Sequence, residues 1–251
     1  MHHLDWLENA AARRRARTAL KWSVVITLAL YVIPFGAFLA YPLLLLSTMF
    51  HELGHGLAAI VSGGSFDSFM IFADGSGVAQ HHGSGSAGVQ AFVSAGGLVG
   101  PAIVAAMAFV AGRSIRGSRG LLGFMAIALA VALVLVVRNP FGIAFTIALV
   151  AGFGWLALRS SDGTVQLATV LLGTQLALSV FSRADYLFTD TAVTGAGLLP
   201  SDTAQIANAL GGPYWAWGIA CGAFSLLVLA GGVVWFLRVL RDAPRPSFRR
   251  S

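Results

Sequence analysis

PLLLLSTMFHELGHGLAAIVSGG, residues 42–64, is an apolar run long enough for a helix, and it carries two histidines and a glutamate near its centre. A covering of roughly 18 to 20 residues takes a helix across a ~30 Å hydrocarbon core. The run therefore reads as a membrane span, and its three polar residues require an explanation. An ionisable side chain at the middle of such a span costs about 2.5 to 3.5 kcal/mol on insertion scales, so three together call for a compensating partner.

The rest of the chain agrees with a membrane setting. Of 251 residues, 57% are hydrophobic and 10% charged, which is not the balance of a water-soluble domain. Seven apolar segments are expected, at residues 22–40, 42–62, 89–112, 120–137, 141–158, 164–182 and 214–237. The breaks fall at Pro42, at residues 113–119, at Arg138, Asn139 and Pro140, and at residues 159–163. The predicted class is an all-α polytopic membrane protein, with a basic cytoplasmic tail at residues 1–21, one membrane domain at 22–240 and a basic tail at 241–251. An uncleaved first helix fits the start better than a signal peptide, because Asp5 and Glu8 interrupt the basic region and a second apolar run follows at once.

The net charge of +6 does not point to nucleic acid. Its cations sit beside apolar segments, as in Arg13, Arg14, Arg15 and Arg17 at one terminus and Arg245, Arg249 and Arg250 at the other, which is the pattern of a membrane surface. A cytoplasmic N-terminus would send the second segment inward and place the half carrying residues 51–55 toward the cytoplasm. Seven spans would then leave the basic C-terminal tail outside, against the positive-inside rule. Fifteen arginines against one lysine, with abundant Ala and Gly, suggest a GC-rich bacterial genome. The lone Cys221 excludes an internal disulfide and a cysteine-rich metal site.

Two stretches lie outside the spans. Residues 65–88 alternate Phe66, Phe69 and Ile71 with polar neighbours around Asp74 and Gly75, which predicts a β-hairpin turning at 74–77. Residues 183–213 read as a polar loop in which Ser201 and Asp202 start a short helix through Leu210. Tyr214, Trp215 and Trp217 then form an interfacial belt at the last span.

On a helix, residues i and i+4 share a face, so His51 and His55 can present ring nitrogens to one metal ion. Glu52 stands one residue round from the first ligand, within reach of a water on that metal. His-Glu-x-x-His is the arrangement in which zinc polarises water and a carboxylate takes its proton. With six histidines and two glutamates in the whole chain, chance gives this pattern roughly once in a thousand such chains.

Zinc in a catalytic site takes three protein ligands as a rule, so a third must come from elsewhere. The other acids are Asp5, Glu8, Asp67, Asp74, Asp162, Asp185, Asp190, Asp202 and Asp242. Asp185 is the preferred one, since Gln175, Ser179, Ser182 and Asp185 follow at helical spacing and would turn one polar face of the sixth span inward. A simple pairing of Asp185 with Arg183 is the plain alternative, and Asp162 and Asp202 stay beside it as candidates. His81 and His82 are neighbours on a strand and point to opposite faces, so at most one of them can join the site.

With these residues in hand, the chain resembles the site-2 protease family of intramembrane zinc metallopeptidases, in its compact bacterial branch. The resemblance rests on residues 51–55 inside a membrane helix, the hairpin around Phe72, Asp74, Gly75 and Gly77, and Ala95-Gly96-Gly97-Leu98-Val99-Gly100-Pro101 in the next helix. It implies zinc held by His51, His55 and a later aspartate, Glu52 as general base, and a hairpin that holds an extended substrate by strand addition. The expected activity is hydrolysis of a peptide bond in or near the transmembrane segment of a membrane-anchored protein, in a bacterial cell membrane. The family's aspartate is usually followed by glycine and preceded by an Asn-x-x-Pro element. Here Asp185 precedes Tyr186, Asp162 precedes Gly163, and Asn139-Pro140 lies far upstream. A silent scaffold of the same family and a metal or small-molecule transporter are the competing readings.

Overall fold

The computed structural model describes residues 2–83, 85–182 and 187–241. The all-α polytopic class holds. Helix α1 (His2–Val32) and helix α2 (Gly36–Val61) are followed by strands β1 (Ser65–Ile71) and β2 (Gly77–His82). Helices α3 (Ala87–Ala111), α4 (Ile115–Leu135), α5 (Pro140–Leu158) and α6 (Asp162–Ser182) come next. Strands β3 (Thr191–Thr194) and β4 (Gly197–Pro200), a short α7 (Asp202–Leu210) and a long α8 (Tyr214–Arg241) complete the order.

Six helices among the described residues, α2 to α6 and α8, are long and apolar enough to cross a membrane, where seven spans were expected. The difference lies at the start. The break expected at Pro42 falls at residues 33–35 instead, where Pro34 disfavours helix at its predecessor and Phe35 takes a left-handed backbone (φ 64°). The apolar part of α1 after Lys21 therefore ends at Val32 and covers only about 16 Å at 1.5 Å per residue, half of a hydrocarbon core. Pro42 is carried inside α2, at the loss of the backbone hydrogen bond that its missing N–H cannot make.

Helices α2 and α3 cross at very short range. A Cβ added to Gly54 would stand 2.3 Å from the Gly96 carbonyl oxygen, so only glycine permits this approach. Gly100 likewise faces the Phe50 carbonyl, and Ala58 packs with Val93, which makes the two helices antiparallel.

The β1–β2 hairpin turns back along α2 rather than leaving the bundle. Its turn is closed by Phe72 N–H donating to Ser76 O (2.9 Å), and Asp74 Oδ1 accepts from the Ser76 amide (2.9 Å). Phe66 lies on Gly56, Thr48 Oγ1 donates to Gly75 O (2.7 Å), and Tyr41 OH donates to Ala73 O (2.6 Å). Extended backbone at this depth must find partners within the protein. On the outer side of β1 the α4–α5 connection supplies them. Phe69 N–H donates to Val136 O (2.8 Å), and Arg138 N–H donates to Phe69 O (3.2 Å). The Asn139 side chain then acts as one more strand residue: its Nδ2 donates to Ile71 O (2.6 Å) and its Oδ1 accepts from Ile71 N–H (3.2 Å). Phe69 and Ile71 have no exposed surface. Asn139→Ala would leave a buried donor and acceptor unpaired, each at about 1–3 kcal/mol. It is expected to lower the thermal unfolding midpoint in detergent by several degrees, with the loss concentrated in hydrogen-exchange protection of β1.

Residues 187–213 hold more order than the polar loop expected over 183–213. The short helix from Asp202 to Leu210 is present, capped as expected by Ser201, whose Oγ accepts from Ala204 N–H (3.1 Å). Ahead of it stands a second hairpin, β3–β4, which residue patterning did not announce. Gly195 N–H at its turn donates to Ser76 Oγ (2.9 Å), joining the two hairpin tips.

Candidate metal centre

His51 and His55 meet on one face of α2, as their spacing requires. Their Nε2 atoms are 3.1 Å apart, with the rings edge to face at 4.7 Å between centroids. Helix α3 orients the second ring. His55 Nδ1 lies 2.8 Å from Val93 O, and a carbonyl only accepts, so Nδ1 carries the proton and Nε2 presents a lone pair. A Cβ on Gly97 would fall 2.1 Å from His55 Nε2, so the imidazole occupies the space that glycine leaves.

The third group is Asp202, the first residue of α7. Its Oδ2 is 3.0 Å from His51 Nε2 and its Oδ1 is 3.3 Å from His55 Nε2. The fold delivers it through its neighbours. Ser201 Oγ donates to Thr189 O (2.6 Å) and the Ser201 amide donates to Asp190 O (2.9 Å), which anchors the helix start. Ile206, one turn on, is buried with Ala91, Leu98 and Cys221 against α3 and α8. Burial would raise the Asp202 carboxyl, but the imidazoles of His55 and His51 outweigh it and hold the group well below the usual carboxylate range.

The three ligand atoms lie within 4.8 Å of one another, at residues that are nearly or fully buried. Asp202 Oδ2 is a buried oxygen whose close polar neighbour is His51 Nε2, at 3.0 Å. Lone pairs from His55 Nε2 and the carboxylate thus converge on one point, which is unfavourable unless a cation sits between them. Two nitrogens and one oxygen with an open side are the donor set of a catalytic zinc site, and the residues fit that metal.

Of the other candidates, Asp162 is not near this cluster. It starts α6 at the opposite end of α3 from His55 and pairs with Arg119 Nη2 at 3.1 Å, so its glycine neighbour in the sequence was a misleading signal. Asp185 lies outside the described residues. The polar stripe leading toward it does face inward: Gln175 Nε2 donates to Thr27 Oγ1 (2.6 Å), and Ser179 Oγ accepts from Ser47 Oγ (2.8 Å). What sequence reasoning underweighted was Asp202 itself. The available signal was an aspartate placed directly after a capping serine, at the start of a short helix with an apolar face.

Glu52 is 5% exposed and stands against the hairpin, where a Cβ on Gly77 would fall 2.7 Å from its Oε1. The Ala79 backbone amide also reaches its carboxylate. This follows from the ladder. Phe69 and Ile71 turn their backbone groups outward to residues 136–139, so their partners Ala79 and Gly77 turn theirs to the opposite edge, toward α2. The two adjacent histidines diverge as a strand demands. His81 lies 6.4 Å from His55, ring to ring, and burial and His55 hold its imidazole below the ordinary value. His82 is exposed and pairs with Asp67.

Space flanks the cluster on two sides. A cavity of about 80 Å³ is lined by Ser47, Thr48, Glu52, Ser179 and Ser225. A cleft of about 100 Å³ runs between the free edge of β2 and the β3–β4 hairpin, with His55 and Asp202 along it. Both bring polar surface to a membrane-embedded centre, where water is otherwise scarce.

The Peptidase M50B-like family model matches residues 22–232, and the chain belongs to that family, a site-2 protease family of membrane metallopeptidases. Neither a curated protein nor a solved structure matches the chain.

Proposed function

We propose that this Peptidase M50B-like protein is an intramembrane zinc endopeptidase, which hydrolyses a peptide bond in or near the transmembrane segment of a membrane-anchored protein. The observation that carries the reading is the convergence of His51 Nε2, His55 Nε2 and the Asp202 carboxylate next to Glu52 and a free strand edge. His51, His55 and Asp202 would hold the metal. Zinc there would supply a Lewis acid for the scissile carbonyl and lower the pKa of an attacking water.

The chain's own residues account for the remaining work. Glu52 takes the proton of the attacking water and returns it to the leaving amine. The backbone groups of Gly77 and the Ala79 carbonyl, turned away from β1, are placed to pair with an extended substrate strand. A transmembrane helix must unwind to offer its backbone in this way, and the cleft beside β2, about 100 Å³, is too small for a helix about 10 Å across. His55 keeps its orientation through Val93, and the serine-lined cavity admits water. The arginine-rich, Ala- and Gly-rich composition supports a bacterial cell membrane as its location.

The test is metal dependence in purified protein. Removing zinc with a chelator is expected to stop cleavage of a membrane-anchored test substrate, and adding zinc back is expected to restore it. Protein that holds stoichiometric zinc, stays folded and never cleaves any such substrate would move the silent scaffold ahead. Metal that exchanges freely and crosses sealed vesicles would favour the transporter.

A further inference from the structure

Helices α3, α4 and α8 do not close on one another along their outer side. They leave an open apolar groove of about 810 Å³, walled by Ile103, Met107 and Val110 of α3, Phe124 of α4, and Leu227 and Trp235 of α8. None of its lining residues belongs to the metal centre or to the spaces beside it. Glycine keeps its floor low. A Cβ on Gly232 would stand 2.7 Å from the Ala106 Cα, so α8 touches α3 there, whereas a Cβ on Gly120 or Gly231 would meet nothing within 4 Å.

The groove occupies one half of the span. From Ile103 to Ala111 on α3, and from Leu227 to Trp235 on α8, it runs about 12 Å at 1.5 Å per residue, close to the ~15 Å that one leaflet contributes to a ~30 Å hydrocarbon core. Its outer end reaches the α3–α4 connection, where Trp235 marks the headgroup level. Arg113 lies over the Trp235 ring at 5.5 Å from its centroid, and Arg238 lies over the same ring at 5.6 Å. Arg113 Nε is buried without a hydrogen-bond partner. Among the described residues neither arginine pairs with a carboxylate, in contrast to Arg119, which has Asp162. Two guanidiniums on one indole repel each other, and an anion beside them offsets that repulsion and supplies the acceptor that Nε lacks.

We propose that this groove binds an anionic phospholipid such as a phosphatidylglycerol, with an acyl chain along α3 and α8 and the phosphate on Arg113 and Arg238. The groove alone would take any acyl chain, and the arginines alone would take any phosphate. A lipid of net negative charge uses both, as in basic pockets between membrane helices. A transmembrane helix of another protein would pack across both leaflets, whereas the groove stops at mid-membrane.

The test is native mass spectrometry of the full chain, released from detergent after equilibration with equal amounts of dioleoyl phosphatidylglycerol and dioleoyl phosphatidylcholine. Wild type is expected to retain phosphatidylglycerol in preference to phosphatidylcholine by roughly tenfold or more. Arg113→Gln combined with Arg238→Gln is expected to remove that preference. Gly231→Leu, whose side chain enters the groove, is expected to lower phosphatidylglycerol retention by roughly tenfold. Gly120→Leu fills the groove from α4 if the α8 variant does not fold. Arg159→Gln, exposed in the turn that Arg119 binds, is expected to change nothing, which separates the groove from general attraction to a basic surface. Equal retention of the two lipids by wild type, or a preference that survives either the double arginine change or the filling of the groove, overturns the proposal. A doubled mass, or a copurified membrane protein that Gly231→Leu displaces, also overturns it and gives the groove to a second helix. The measurement needs neither metal nor turnover, so its failure leaves the peptidase reading untouched.

Discussion

Glu52→Gln is expected to abolish cleavage of a membrane-anchored substrate while zinc stays bound in full. Glutamine matches glutamate in size, so the tight fit against Gly77 is kept and the α2–hairpin contact does not loosen. Glu52 is not among the three groups that converge on the metal position, so their geometry is untouched. The single property removed is the capacity to accept a proton from water and deliver it to the departing amine. General acid–base groups contribute about 10²–10⁴-fold, and here one residue serves both transfers, so the loss belongs at the upper part of that range. Zinc content and cleavage measured on the same preparation decide the matter. Cleavage retained in zinc-loaded Glu52→Gln protein would falsify the mechanism.

Asp202→Ala is expected to lose zinc as completely as His51→Ala does. Each removes one of only three protein ligands, and Asp202 supplies the one negative charge among them. A neutral two-histidine remnant inside a membrane has little to hold a divalent cation against water. Asp162→Ala is the natural control, because it breaks only a partly exposed ion pair with Arg119, an interaction of the kind worth about 0–1 kcal/mol. It should retain zinc and activity. Asp185→Ala belongs in the same series and should also retain zinc. Loss of zinc in Asp185→Ala with retention in Asp202→Ala would overturn the ligand set and return the site to the sixth helix.

Much of this protein was legible before its fold was known, and the legible part is local. The alternation of a hairpin around Asp74, the serine that starts the helix at Asp202, and the i, i+4 placement of His51 and His55 each depend on a few neighbouring residues. Apolar runs announce membrane spans for the same reason: crossing a bilayer is a demand on one continuous segment.

What remained closed involves partners distant along the chain. Several aspartates occupy similar polar settings locally, and only the path through Ser201, Thr189 and the packing of Ile206 on α3 selects Asp202 for the histidines on α2. Asn139 looks like an ordinary helix-start residue until the hairpin lies beside it with Ile71 unpaired. The point at which α1 ends depended on one choice between two prolines, Pro34 and Pro42, which are alike in isolation. Periodicity and composition determine which segments are helical, which face is apolar and which residues on one helix share a ligand. Long-range packing alone decides which loop closes on that helix, because contact energies between residues 150 positions apart leave no trace in the spacing of either one.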